Sequence, residues 1–399
     1  MTGLLTFSTK NANVKEYTNK NKYMEKFPNP DNPSERDSKK EAILGVFHSR
    51  QKKPSYFRHI PGWRDSIKRR NPSIADKDID DLVNQDNNYT NRKDTYIATA
   101  NEKDPVGREM REYEQVLESL IHYSAVGGTL FRQTKIGELG SDFDDKANGV
   151  DVLIGLNNKE GETTVFSLDA CAAGQESTVL AKFEKSDSPE YAPNCSEIRY
   201  CYFNEYDDKG NRQERFLSLP YAPHYIVGAN KATICHELDD QIKVEGTDPK
   251  YSQITGICSE DFRKKILVEI YIQSRTGFNC AQSFRISPPE YATKGMLACA
   301  KKVREQHRTV AEAARSNLYT LFGINRDDPE AKDELDKAIE QFAYCNTDDV
   351  AFSTIYKKAV ADYGQTKAEL DKNRELKNKA MGEKANDIAD KTKPDDKDS

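Results

Sequence analysis

Between about residues 106 and 230 apolar and polar positions recur with two different periods. Met110, Tyr113, Val116, Leu117, Leu120, Ile121 and Ser124 return every three to four residues, which predicts a helix with one buried stripe, ending before Gly127-Gly128. Apolar runs bounded by turn residues then predict strands at 129–135, 150–156 and 163–168, a short helix at 175–185, and strands at 197–203, 212–219 and 225–229, with a turn at 207–211. From Ser259 the period is helical again. Ser259-Glu260-Asp261 supplies a cap and an acidic first turn, Phe262, Ile266, Leu267, Ile270 and Tyr271 form the stripe, and Gly277 marks the stop. Further helices are predicted at 289–321, 328–344 and 348–379. The order predicts an α/β layered core over 106–275, a mixed sheet flanked by helices, with an α-helical extension over 276–365. Residues 366–399, nearly all charged or small, predict a fraying helix that becomes disordered.

Composition changes this picture at the N-terminus. Only 36% of the 399 residues are apolar, against roughly 45–50% in an ordinary globular domain. Residues 1–105 carry much of the deficit: they are polar, rich in Asn, Lys and Asp, and interrupted by seven prolines from Pro28 to Pro105. A mostly disordered N-terminal arm is the expectation there. Within it, residues 50–70 (RQKKPSYFRHIPGWRDSIKRR) interleave basic residues with Tyr56, Phe57 and the only tryptophan, Trp63. Arg50, Lys52, Lys53, Arg69 and Arg70 for phosphates, with Trp63 for stacking, is a composition that single-stranded nucleic acid attracts. The other reading is an arm that docks its aromatics on the protein's own core.

Charge and cysteine usage narrow the function classes. Asp+Glu number 66 against Lys+Arg 60, so the net charge of −6 excludes a wholly basic nucleic-acid coat or an acidic solvating protein, and leaves room for a local basic patch. No apolar run reaches the roughly 18 residues of a membrane span and no signal-peptide core is present, so a soluble, cytoplasmic protein is expected, with no membrane partner. The eight cysteines sit singly, without a CxxC pair, and read as buried free thiols.

The chemistry-bearing segment is 141–171, SDFDDKANGVDVLIGLNNKEGETTVFSLDAC. Two apolar strands flank a polar turn centred near residue 160, so Asp151 and Asp169, nine positions to either side, are expected as cross-strand partners with Cβ atoms about 4.5–5.5 Å apart. Opposed like charges on a half-buried hairpin repel, and a divalent cation would reconcile them. A bulge between them, or two acids that cap strand ends, would do so as well. On the preceding helix Glu114, Glu118 and His122 follow at four-residue spacing beside the apolar stripe, where an acid can reach over the sheet or merely be solvated. The cluster Asp142, Asp144, Asp145 reads as an exposed turn rather than a second metal position.

A helix with an acid, a strand, a strand beginning at Asp, a strand ending in an acid, then a helix and a strand resembles the core of the PD-(D/E)xK nuclease superfamily, a restriction-endonuclease-like fold. GVDVLIG, FSLDAC and YEQVLESL are similar to its acidic motifs, and FDDKANGVD with LDAC is similar to a group of bacterial proteins with a YDD..NGVD strand start and an IDVT-like strand. The likeness runs over about residues 108–275. It implies a nuclease-like hydrolase acting on nucleic-acid phosphodiester bonds with Mg²⁺ or Mn²⁺, in which Asp151, Asp169 and Glu114 bind metal. The family's lysine would stand at position 171, where this chain has Cys171; Lys182 or Lys185 on the next helix would then take its part. Without such a lysine the alternatives are an inactive member of the fold that binds nucleic acid or another protein, and a purely structural assembly component, which the long helical end suggests.

Overall fold

The computed structural model describes residues 33–391 apart from 58–59, 158–161, 185–187, 207–211, 244–252 and 255–257. The turns expected at 158–161 and 207–211, Lys185, residues 1–32 and residues 392–399 therefore lie outside the described residues, as does the side chain of Arg70.

The N-terminal region departs most from expectation. Its described part is helical: α1 (Pro33–Arg50), α2 (Pro54–Phe57), α3 (Pro61–Arg70) and α4 (Asp76–Lys103). Pro33, Pro54, Pro61 and Pro105, which read as breakers, are helix starters, because a first-turn N–H has no intrahelical partner and the fixed φ of proline already suits a helix. Phe57, Trp63, Ile67, Ile79 and Val83 then form a cluster with Phe143 and Tyr200 from the α/β core. The Trp63 ring stacks on Tyr200 at 5.1 Å, and its indole N–H donates to the Arg199 carbonyl at 2.9 Å. With Trp63 fully buried, stacking on a nucleic-acid base is not open to it. Of the two readings of the aromatics in 50–70, docking on the protein's own core is the one realised for Phe57 and Trp63, while Tyr56 is exposed.

The core follows as α5 (Pro105–Val126), β1 (Thr134–Leu139), α6 (Asp142–Asn148), β2 (Val152–Asn157), β3 (Thr163–Ala172), α7 (Glu176–Glu184), β4 (Cys195–Tyr206), β5 (Arg212–Ala229), α8 (Lys231–Gln241) and the short strands β6 (Ile242–Lys243) and β7 (Gln253–Ile254). It is α/β: five strands in the order β1-β2-β3-β5-β4 make a mixed sheet in which β3 and β5 run parallel and the other pairs antiparallel. Val152, Ile154 and Leu156 pack with Phe166, Leu168 and the α5 stripe, while Leu153 and Val165 face a second cluster with Ile136 and Ile198. The central strand thus reads as one apolar run rather than an alternation.

Three local differences have clear causes. Residues 129–133 wrap the end of α5, with Thr129 and Leu130 both donating to the Ser124 carbonyl, so the first strand starts later than expected. The strands expected at 212–219 and 225–229 are one, β5; its first part, to Pro223, pairs with β4 and its last part, from His224, with β3. Gly277 does not stop its helix, since α9 (Glu260–Ile286) runs on past it and past the expected core boundary at 275. A Cβ at Gly277 would lie 2.4 Å from the His307 ring, so this glycine admits a neighbour. His307 bridges Tyr225 and the Pro193 carbonyl, both at 2.9 Å.

The remaining helices, α10 (Lys294–Phe322), α11 (Ala331–Cys345) and α12 (Val350–Lys391), match the expected positions within a few residues at most ends. The segment at 366–391 is a continuous part of α12; Leu370 is buried and Asn373 donates to Ser283, so α9 holds this helix beyond the expected point of fraying. No described helix is long and apolar enough to cross a membrane.

Candidate active site

The acids singled out in the sequence gather where α5, α6, α7 and the ends of β2 and β3 meet. Hairpin pairing runs from Asn157↔Thr163 to Val152↔Leu168, the register centred on residue 160. Asp151 is the next step of that ladder, but it departs from it: its backbone N–H donates to Leu168, one residue short, and its carboxylate accepts the Ala170 N–H at 2.6 Å. The expected direct opposition of Asp151 and Asp169 is therefore modified by an irregular strand end. Asp169 turns instead to Lys182, whose ammonium donates to the Asp169 carboxylate and the Ala170 carbonyl and lies 2.6 Å from Glu114 Oε1. Gly149, with a left-handed φ of 64°, leaves room for Asp169: a Cβ there would stand 3.0 Å from Asp169 Oδ2.

Asp151, Asp169, Glu114 and Lys182 thus come together from four separate elements, while Cys171 is a buried thiol whose pKa burial pushes up to about 12. Two further acids belong here, Glu118 and Asp145, which the sequence reading named but did not assign to the metal site. Glu118, one turn beyond Glu114, is 4% exposed and its Oε2 has no hydrogen-bond partner among the described residues. Asp145 is not on an exposed turn: Ser141 caps α6, Asp142 and Asp144 are buried, and Asp144 accepts the Arg199 and Tyr200 N–H groups at 2.8 Å. Asp145 itself accepts from Gln51 at 2.6 Å. Two signals for these residues were in the sequence, the four-residue spacing on α5 and the Ser141 and Gly149 caps that bracket 142–148.

Burial, then mutual repulsion, sets the titration of the cluster. Burial first, and next Asp145 and Glu114, hold Glu118 well above the usual carboxylate range. Asp151 is raised by burial, then by Glu118 and Asp169, with Lys182 opposing. Asp145 is raised to about 6, chiefly by burial, with Gln51 opposing. Burial opposes the charge of Lys182, but Asp169, Glu114 and Asp151 outweigh it and raise its pKa.

An acid raised in the folded state binds more protons there than in the unfolded chain, so stability falls as pH rises above the unfolded carboxylate value near 4. Melts between pH 5 and 8 should show this decline. Glu118→Gln should flatten it, by up to about 1.4 kcal/mol per pH unit. Equal slopes for the two proteins would remove Glu118 from the cluster.

The donor set is chemically suited to a hard divalent cation, being carboxylate oxygens in excess of the cations that neutralise them. Among the described residues, however, no three His, Cys, Asp or Glu side chains form a group that could hold a metal ion. The Lys182 ammonium is the cation bridging Asp169 and Glu114. A cavity of about 580 Å³ lies on the same face of the sheet, lined by Phe183, Asn194, His224 and Ile226 among others; Ile226 is the ladder partner of Asp169. His224 bonds Ser167 at 2.9 Å, and burial lowers its pKa.

The residues expected to contact nucleic acid, Arg70 apart, can each be placed. Lys53 pairs with Asp94 at 3.8 Å, Lys52 lies over the Tyr56 ring, Arg69 is exposed on α3, and Arg50 reaches α5. No family model, curated protein or solved structure matches the chain.

Proposed function

We propose that the chain is a nuclease-like phosphodiesterase of the PD-(D/E)xK, restriction-endonuclease-like type, acting on nucleic acid with Mg²⁺ or Mn²⁺. The observation that carries this reading is the meeting of Asp151, Asp169, Glu114 and Lys182 at one end of a mixed α/β sheet. As placed, Asp151, Asp169 and Glu114 or Glu118 do not form a metal-holding group, so they would have to draw together to hold the ion, which when bound would supply a Lewis acid for the phosphate oxygens. Lys182, within reach of both motif regions, takes the place left by Cys171. Its charge would stabilise the negative charge that develops on phosphate in the transition state.

A second reading has its own observation. The three ammonium protons of Lys182 are matched by Asp169, Glu114 and the Ala170 carbonyl, an arrangement complete in itself. It favours a catalytically inactive member of the fold that binds nucleic acid or another protein.

Incubation of the full chain with single- and double-stranded DNA and RNA in Mg²⁺ or Mn²⁺ separates the two. Metal-dependent cleavage, reduced roughly 10²- to 10³-fold in Lys182→Met and in Asp151→Asn, is the expected result. An absence of cleavage across that panel would leave the binding reading standing.

A further inference from the structure

Two helical turns along α5 from Glu114, about 12 Å, a second polar pocket opens. Its volume is about 200 Å³, and Arg50, His122, Thr134, Lys135, Ile136 and Glu138 line it. The Arg50 guanidinium lies 5.1 Å from the Tyr123 ring centre and 2.9 Å from His122 Nε2. Since arginine can only donate, His122 Nε2 accepts and the imidazole proton sits on Nδ1. His122, one of the lining residues, is 2% exposed, and its Nδ1 has no partner among the described residues, so a lining residue carries a buried, unmatched N–H donor.

The charge balance points the same way. Neither Arg50 nor Lys135 has a carboxylate partner among the described residues, and Lys135 is exposed at the pocket mouth. Glu138 is the one acid in the lining, so Arg50 and Lys135 leave the pocket with a net charge of +1. Burial and the neighbouring Arg50 lower His122 to about 4, so the ring is a neutral donor at physiological pH. Guanidinium, ammonium and a neutral N–H around a small polar cavity are the donors that a phosphate monoanion or diester takes up.

We propose that this pocket is a phosphate subsite, and that its ligand is a backbone phosphate of the nucleic-acid strand, of which a linkage further along lies at the carboxylate cluster. The location rests on the nuclease reading; the anion chemistry does not. Arg50, a member of the basic 50–70 segment whose side chain reaches the α5 helix, would fix the register of the strand, and Lys135 would hold it from β1.

The test measures binding without catalysis. A short labelled single-stranded oligonucleotide is titrated in EDTA at several salt concentrations against the full-length wild type, Asp169→Asn and the double variant Arg50→Gln, Lys135→Gln. The double variant should bind roughly tenfold more weakly at low salt, and its plot of log affinity against log salt should be shallower by about 0.7, the loss of one phosphate contact on a single strand. Asp169→Asn, which in EDTA removes a negative charge beside the strand, should bind at least as tightly as the wild type, so loss of cleavage with binding kept concerns the carboxylates and not this pocket. Both substituted side chains are exposed, and an unchanged melting curve checks the fold. Equal affinity and salt slope in wild type and double variant would overturn the subsite, as would a wild type that does not bind the oligonucleotide. Inorganic phosphate supplies the other arm: a shift of the His122 imidazole resonances on its addition, with no oligonucleotide binding, would assign the pocket to a free phosphate and overturn the backbone assignment.

Discussion

Trp63→Ala is expected to cost about 3–5 kcal/mol of folding stability, the usual range for deleting a fully buried large aromatic. The ring fills the centre of the joint between α2, α3 and α4 and the sheet, between Phe57 and Tyr200. Its removal leaves a cavity there and orphans the Arg199 carbonyl. Around it, Asp86 accepts both Arg199 Nη1 bonds at 2.8 Å and the Tyr200 hydroxyl at 2.6 Å, so the loss should spread to the whole joint. Because Trp63 is the only tryptophan, its fluorescence reads this contact directly. Wild-type emission should be blue-shifted and protected from acrylamide, and urea unfolding of the variant should give the energy. Emission typical of a solvated indole, or a loss below about 1 kcal/mol, would mean that the N-terminal helices do not pack as described.

Asp169→Asn carries the second large effect, on metal response and on stability. If a divalent ion binds at the carboxylates, Mn²⁺ at a hundredfold excess over its dissociation constant should stabilise the wild type by about 2.7 kcal/mol, and the variant not at all. Repulsion between Asp151 and Asp169 alone would predict a metal-free variant as stable as the wild type, or more so. The Lys182 contacts reverse that sign: without the Asp169 charge, a largely buried ammonium keeps only Glu114 and a carbonyl. A metal-free loss of about 1–3 kcal/mol is therefore expected. Thermal melts of both proteins with and without Mn²⁺ check the two halves separately. A wild-type melting temperature indifferent to millimolar Mn²⁺ would count against the metal, whatever the variant does.

Features that depend on local pattern were legible in the sequence. The centre of the hairpin at residue 160 follows from two apolar runs and a polar turn, and the observed pairs from Val152↔Leu168 onward keep it. The α9 start was equally plain, since Ser259 accepts the Phe262 N–H as the cap it resembled. What was not legible depends on partners distant in sequence. Ile43 and Phe47, or Phe57, Trp63 and Ile67, are too sparse among charges to announce a core, and their burial comes from residues such as Tyr113 and Tyr200. Gly277 is a helix residue only because His307 needs the space. The same holds at the site. Asp151 and Asp169 could be placed by register, but that Asp151 bends to the Ala170 N–H while Asp169 turns to Lys182 is set by a strand-end irregularity and by a helix thirteen residues on. Asp144 and Asp145 read as solvent-facing because the groups that bury them, Arg199, Tyr200 and Gln51, lie far along the chain.

The joint between Trp63 and β4 has a consequence for how the protein is made. Trp63 is synthesised 136 residues before Arg199, the carbonyl it bonds. At ordinary elongation rates of roughly 5–20 residues per second, about 7–27 s separate the two. During that interval Phe57, Trp63, Ile67, Ile79 and Val83 have no Tyr200 to cover them, and α2 to α4 present an uncovered apolar face on the nascent chain. Translation therefore passes through a stage in which the tryptophan cluster is open to chaperones or to a neighbouring nascent chain, and it closes only when β4 is delivered.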